Sequence, residues 1–341
     1  MTPNRSARFA KAGRLFAAVL VSTLAPAPAD AQQVTMKIGH SAVRSGQDRW
    51  AQVFKDALDK RAPGRVKIEI YPGGQLGSPV AMIQGVQLGT IEAVQTAPEF
   101  LTVVDPRFDA FTAPGLFDDV AHEDRALHDP EVKRQLWPIL EPKNMKIIGF
   151  PCEAVADYGT IEPIRTIADF KGKKIRVLGS KLEIETMRRV GATGVPMQLG
   201  EALPALQQRA IDGTRSGIPI FVGFKYVTVT RYILQTHESF LCIAKIVSKK
   251  WFEGLPADLQ KIMLEEAEKA DMDNLPFNVD LLDKLYAAWK AQGGVINEFS
   301  PAERAEYRRR VQTVGDAVFK DLPGVKGTYE VLKAAAARTR K

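Results

Sequence analysis

Strands and helices alternate along this sequence, and that alternation constrains the fold more than any other feature. Apolar and polar residues alternate strictly in Val34-Thr35-Met36-Lys37-Ile38, the pattern of a half-buried strand. Trp50, Phe54 and Leu58 then recur at helical spacing until Pro63-Gly64 stops the helix. Val66 to Tyr71 alternates again and ends at Pro72-Gly73-Gly74; a helix from Pro79 to Leu88 leads to a strand at Ile91 to Val94. The grammar returns with strands at Met145 to Phe150, Lys174 to Leu178 and Ser239 to Val247, and helices at Leu182 to Val190 and Gly200 to Arg209. Strands interleaved with helices predict an α/β protein with two sheets of comparable size.

Beyond Trp251 the period changes. Leu259, Ile262, Met263 and Ala267, then Leu281, Leu282, Leu285 and Trp289, describe long amphipathic helices that brace the sheets. The Ala- and Arg-containing C-terminus is expected to fray.

The N-terminus sets the compartment. Arg5, Arg8, Lys11 and Arg14 precede an apolar run of about ten residues, Leu15 to Leu24, that ends at Ala29-Asp30-Ala31. This reads as a secretory signal peptide cleaved near Ala31, because a membrane span needs roughly 20 apolar residues. Removing the leader's four cations and one anion reduces the formal charge from +7 to +4. Both signs are mixed along the remainder, which argues against nucleic acid as a partner. About 310 mature residues exceed what one core supports and predict two lobes. Two cysteines, Cys152 and Cys242, make no disulfide framework; buried free thiols are expected, with a single bridge as the alternative.

Reaction chemistry has little support. His122 and His128 are six apart, and His40 and His237 stand in no HExxH or cysteine context, so no metal is expected. The sequence has no GxSxG elbow, Walker loop or GxGxxG fingerprint, and neither a catalytic residue nor a cofactor is assigned. One segment does point to binding. In Lys174-Ile175-Arg176-Val177, Ile175 and Val177 face one side of a strand and Arg176 the other, and Ser180 with Glu183 forms an S-x-x-E capping box immediately after. An arginine at the carboxyl end of a strand, beside a helix N-terminus, suits a carboxylate; an ordinary solvated or salt-bridged arginine is the alternative.

The order of several blocks resembles the DctP-type solute-binding subunits of tripartite ATP-independent periplasmic (TRAP) transporters. The blocks are Ile38-Gly39-His40, Ile68 to Gly77, Val86 to Glu92, Phe170 to Val177, Ala205 to Gln208 with Ile211-Asp212-Gly213, and Val247 to Trp251 with Leu255-Pro256. The resemblance spans nearly the whole mature chain. It implies a two-lobed periplasmic binding protein fold with the ligand cleft between lobes and long C-terminal helices. The segments would be 1–31 signal peptide, 32–151 and 242–280 first lobe, and 152–241 and 281–341 second lobe with the C-terminal helices. It also implies that Arg176 salt-bridges a ligand carboxylate, and that the lobes exchange near Cys152 and Cys242, which places the two cysteines where they can face each other.

Departures from the family pattern bear on the ligand. A second arginine common in a Gly-Phe-Arg block is replaced by the stretch Cys152 to Gly159, which includes Asp157 and Tyr158. A usual Gln-Glu-Asn after Asp-Gly is here Thr214-Arg215-Ser216, and an aromatic wall after Pro-Met gives way to Gln198-Leu199. Arg215 either supplies the lost charge or pairs with Asp157 or Glu153. His40 and Glu99, in loops after strands of the first lobe, complete the candidate pocket together with Ser216 and Leu199. The expected function is a monomeric, non-catalytic periplasmic subunit that captures a small organic acid and delivers it to integral membrane subunits; a sensing subunit for a signalling receptor is the alternative.

Overall fold

The computed structural model describes residues 33–341, so the segment read as a secretory leader lies outside the described residues. In chain order the strands are β1 (Val34–His40), β2 (Val66–Tyr71), β3 (Ala93–Thr96), β4 (Met145–Gly149), β5 (Cys152–Val155), β6 (Asp157–Thr160) and β7 (Lys174–Val177). They continue with β8 (Thr193–Pro196), β9 (Gly213–Ser216), β10 (Tyr232–Gln235), β11 (Phe240–Cys242), β12 (Ala244–Ser248) and β13 (Val295–Glu298). One sheet has the order β2-β1-β3-β12-β4, and the other β13-β10-β6-β9-β7-β8. Strand β1 runs parallel to β2 and β3, and β7 parallel to β8 and β9, the pairings that helical crossovers make possible. Strand β12 enters the first sheet antiparallel to both its neighbours, as β6 enters the second.

The chain passes between the sheets through a two-stranded ribbon. Strand β5 follows β4 of the first sheet and precedes β6 of the second, while β11 follows β10 of the second and precedes β12 of the first. The two pair antiparallel with Cys152 opposite Cys242, and a disulfide joins them. The expectation of free thiols is therefore corrected: residues 90 apart in sequence become direct cross-strand neighbours because both crossings use the same ribbon. The segment Ser239 to Val247 is correspondingly two strands, β11 and β12, rather than one.

Packing follows the periodicities. Ser45 caps the helix Gly46–Arg61 in a capping box with Asp48, and Trp50, Phe54 and Leu58 of that helix are buried against Met36 and Ile38 of β1. The two amphipathic stretches after Trp251 form a single helix, Ala257–Ala291, which continues through Pro276. At 1.5 Å per residue it is about 50 Å long, enough to serve both sheets. Leu259, Met263 and Ala267 join the core of the first sheet, and Trp289 joins Ile218, Phe221 and Ile233 beside the second. No helix among the described residues is long and apolar enough to cross a membrane.

The C-terminus does not fray. It forms the helix Pro323–Thr339, which buries Val325, Tyr329, Leu332, Ala335 and Ala336. His122 Nε2 pairs with the Ala336 carbonyl at 2.8 Å, and Arg338 pairs with Asp129. Its alanines are a packing face at helical spacing, so composition misrepresents the segment. Although β13 belongs to the second sheet, this last helix packs on the helices Val120–Leu127 and Pro130–Leu136.

Candidate functional site

A cavity lies between the two sheets at the ribbon. From the second sheet it is walled by Arg176 on β7, by Leu199 and by Ser216 at the end of β9; from the first by Ser41, Gln95 and Thr96, at or just beyond the carboxyl ends of β1 and β3. Glu153, Ala154 and Leu241 enter from the ribbon. Carboxyl ends of parallel strands are where an open α/β sheet leaves a crevice.

Arg176 is fully buried. Ile175 and Val177 face the core on one side of β7, and pleating sends Arg176 to the other. Its Nε donates to the Met197 carbonyl at 2.9 Å and Nη1 to the Arg215 carbonyl at 3.2 Å, while Nη2 has no partner among the described residues. Burial pushes its pKa down, although the field of Glu183 opposes this. A guanidinium does not give up its proton in a protein, so with only two carbonyls answering it and both N–H groups of Nη2 unanswered among the described residues, a positive charge awaits an anion. Only half of the expected capping box forms. Ser180 caps the helix Lys181–Arg189, but Glu183 accepts from the Leu178 amide and turns its other oxygen to Arg215.

Arg215 is one residue before Ser216 on β9 and faces away from the cavity. Its partners are neither Asp157 nor Glu153. Nη1 donates to Glu183 and, at 3.4 Å, to Glu99; Nη2 donates to Ser239 Oγ at 2.5 Å; and Glu238 stands 3.9 Å from Nε. Glu238 in turn accepts the hydroxyls of Tyr158 and Tyr307. Glu99 and Tyr158 thus belong to a buried carboxylate cluster and not to the cavity wall. Burial and the neighbouring Glu183 push Glu99 up to about 7 against the pull of Arg215.

His40 is also off the wall: Nδ1 pairs with the Ala42 carbonyl at 3.0 Å, Nε2 lies 3.5 Å from Asp48, and burial lowers its pKa to about 4. Of the eight candidates, Arg176, Leu199 and Ser216 line the cavity. Gln47, Gln95, Thr96 and Glu153 were missed, although a polar residue within the apolar strand Ala93 to Thr96 was a readable signal, since buried polar groups need partners.

Asp157 accepts the Tyr286 hydroxyl at 2.6 Å, and burial pushes its carboxyl from 3.8 up to about 8. The native state therefore keeps a proton that the unfolded chain loses, and this contribution to stability, full below about 4, is lost as pH rises toward 8. Asp157→Asn should remove that dependence. In urea titrations at acid, neutral and mildly alkaline pH, the variant is expected to gain on the wild type as pH rises; a constant difference would show that another group titrates.

Two sheets linked by a shared ribbon, with a buried, unanswered cation on the wall between them, define a protein built to enclose a solute. Residues 39–321 match the family described as bacterial extracellular solute-binding protein, family 7 (DctP), and the chain belongs to that family, the solute-binding subunits of TRAP transporters. It is 30% identical over 275 residues to the 2,3-diketo-L-gulonate-binding periplasmic protein of Escherichia coli, covering 80% of this chain and 83% of the relative. It is 27% identical over 334 residues to the C4-dicarboxylate-binding periplasmic protein of Rhodobacter capsulatus, covering 95% of this chain and 98% of the relative. The crystal structure of a sugar acid binding protein from Advenella mimigardefordensis in complex with galactonate has the same fold, with a TM-score of 0.85 at 21% identity, covering 91% of this chain and 100% of that one.

Proposed function

We propose that this chain, exported by a leader cleaved near Ala31, captures a small organic acid and passes it to the integral membrane subunits of a TRAP transporter without altering it chemically. The observation that carries the reading is Arg176: a fully buried guanidinium on the cavity wall whose Nη2 has no partner among the described residues, while Arg215 is already answered by carboxylates. A carboxylate accepts two parallel N–H bonds from such a fork. Each sheet with its helices acts as one lobe, and a ligand touching both lobes favours the closed form over the open one. In this reading the lobes divide at the ribbon strands, near 151 and 241, and the last helix is grouped with the first lobe because it packs on Val120 to Leu136.

The test is a thermal-shift panel in which each acid is paired with its methyl ester. A ligand that binds only the native state stabilises it by about 2.7 kcal/mol at a hundredfold excess over Kd. At least one free acid is expected to raise Tm while its ester does not. A neutral polyol that stabilises the protein more than any acid would overturn the proposal.

A further inference from the structure

The cavity wall also carries a second set of buried charges. Lys245, fully buried on β12, donates from Nζ to Gln95 Oε1 and to Glu153 Oε1, both at 2.7 Å, and lies 5.4 Å from the centre of the Trp50 ring. Asn274 also reaches Glu153 Oε1, at 3.4 Å. The Gln95 amide is used at both ends, since its Nε2 donates to the Gln47 carbonyl at 3.0 Å. Glu153 and Gln95 line the cavity and Lys245 does not. The ammonium thus stands behind its partners, and what the cavity meets is the carboxylate of Glu153, whose Oε2 takes no hydrogen bond among the described residues. Thr96, on the same cavity wall, has its Oγ1 buried with no hydrogen-bond partner among the described residues.

Resting on the reading of Arg176 as the carboxylate anchor, we propose that Glu153 and Thr96 form a second subsite that selects hydroxylated monocarboxylates and rejects dicarboxylates. A ligand hydroxyl can donate to Glu153 Oε2 and a ligand hydroxyl can accept from Thr96 Oγ1, which gives each group the partner it lacks. A second carboxylate would bring an anion against a desolvated carboxylate, with the nearest ammonium already engaged on its far side. A ligand ammonium is disfavoured for the converse reason, because Lys245 already neutralises Glu153. Ligands with one carboxylate and hydroxyls along the chain, as in sugar acids, have the required chemistry.

Calorimetric titration of the full-length mature protein tests this with matched pairs: hydroxypropionate to hydroxyhexanoate against malonate to adipate, and gluconate against glucarate. The wild type is expected to prefer the hydroxylated monocarboxylate of the best pair by at least about tenfold, equivalent to 1.4 kcal/mol. Glu153→Gln keeps an acceptor for Lys245 and Asn274 and should bring the pair to within about threefold, mainly by admitting the dicarboxylate. The double variant Glu153→Gln/Lys245→Met removes both charges and gives the same readout should the single variant fold poorly. A dicarboxylate that binds the wild type as well as its partner, or a ratio unmoved in both variants, overturns the subsite. Silence from every pair overturns the ligand class. Arg176→Ala separates the two readings: binding undiminished in that variant would overturn the anchor and not the subsite.

Discussion

Arg176→Ala is expected to lower affinity for the acid ligand at least about a hundredfold while leaving a folded protein. Arg176 is held in the interior of β7, paired in register with Val195 and Thr214, so its Cα is fixed by neighbours on both sides. The side chain emerges opposite Ile175 and Val177, whose burial supports the strand without it. Its guanidinium is oriented by the carbonyls of Met197 and Arg215, and this leaves Nη2 with no partner among the described residues. Orientation is thus set before a ligand arrives, and little entropy is lost when a carboxylate accepts from Nη2. Breaking a buried, hydrogen-bonded ion pair by removing one partner costs about 3–5 kcal/mol, or roughly two to three and a half decades of affinity. Truncation leaves two carbonyls without their donor, a cost to folding of about 1–3 kcal/mol each at most. Arg176→Lys should recover part of the affinity, because an ammonium supplies the charge but not the planar fork. Titration calorimetry with circular dichroism measures both quantities; near-normal affinity in a folded Arg176→Ala protein would remove the anchor.

Local patterns in the sequence carried a good part of this site. The placement of Arg176 needed only the period of a strand and the cap at Ser180, both determined within ten residues of chain. The two sheets and their helices were legible for the same reason. Arg215 was not, because its partners Glu99, Glu183, Glu238 and Ser239 come from separate segments brought together by the sheet order, and no spacing rule links them. A rigid pairing with Asp157 or Glu153 was the nearest sequence-local guess, and pleating sends Arg215 to the face opposite the cavity. The disulfide stood only as the alternative to free thiols on similar grounds. Two lone cysteines carry no register information until the ribbon places β5 against β11. Short strands such as β6, β9 and β13, only four residues each, are also too brief for periodicity to identify.

The two arginines differ in what surrounds them, and so Arg215→Ala should fail in a different way: the protein is expected to lose about 3–5 kcal/mol of stability. Arg215 is the cation set among the buried carboxylates Glu183, Glu99 and Glu238, with Ser239 completing its hydrogen bonds. Without it those acids face one another in a desolvated space, and the carboxyls of Glu99 and Glu238, already raised by burial, lose the charge that holds them down. Glu99 already sits at about 7 with the guanidinium present, and its removal raises the carboxyl further. A carboxyl raised in the native state contributes stability that is lost as pH climbs from its unfolded value through its folded one; both proteins lose it in parallel below about 7, so the deficit of Arg215→Ala should widen as pH rises above about 7, where only the wild type releases the Glu99 proton. Glu99 lies just beyond β3 of the first sheet and Arg215 on β9 of the second, so the lost interaction also joins the two sheets. Urea denaturation of wild type and variant across that range measures the deficit and its slope. A variant with unchanged stability but abolished ligand binding would reverse the assignment, making Arg215 the carboxylate anchor and the surrounding acids its positioning groups.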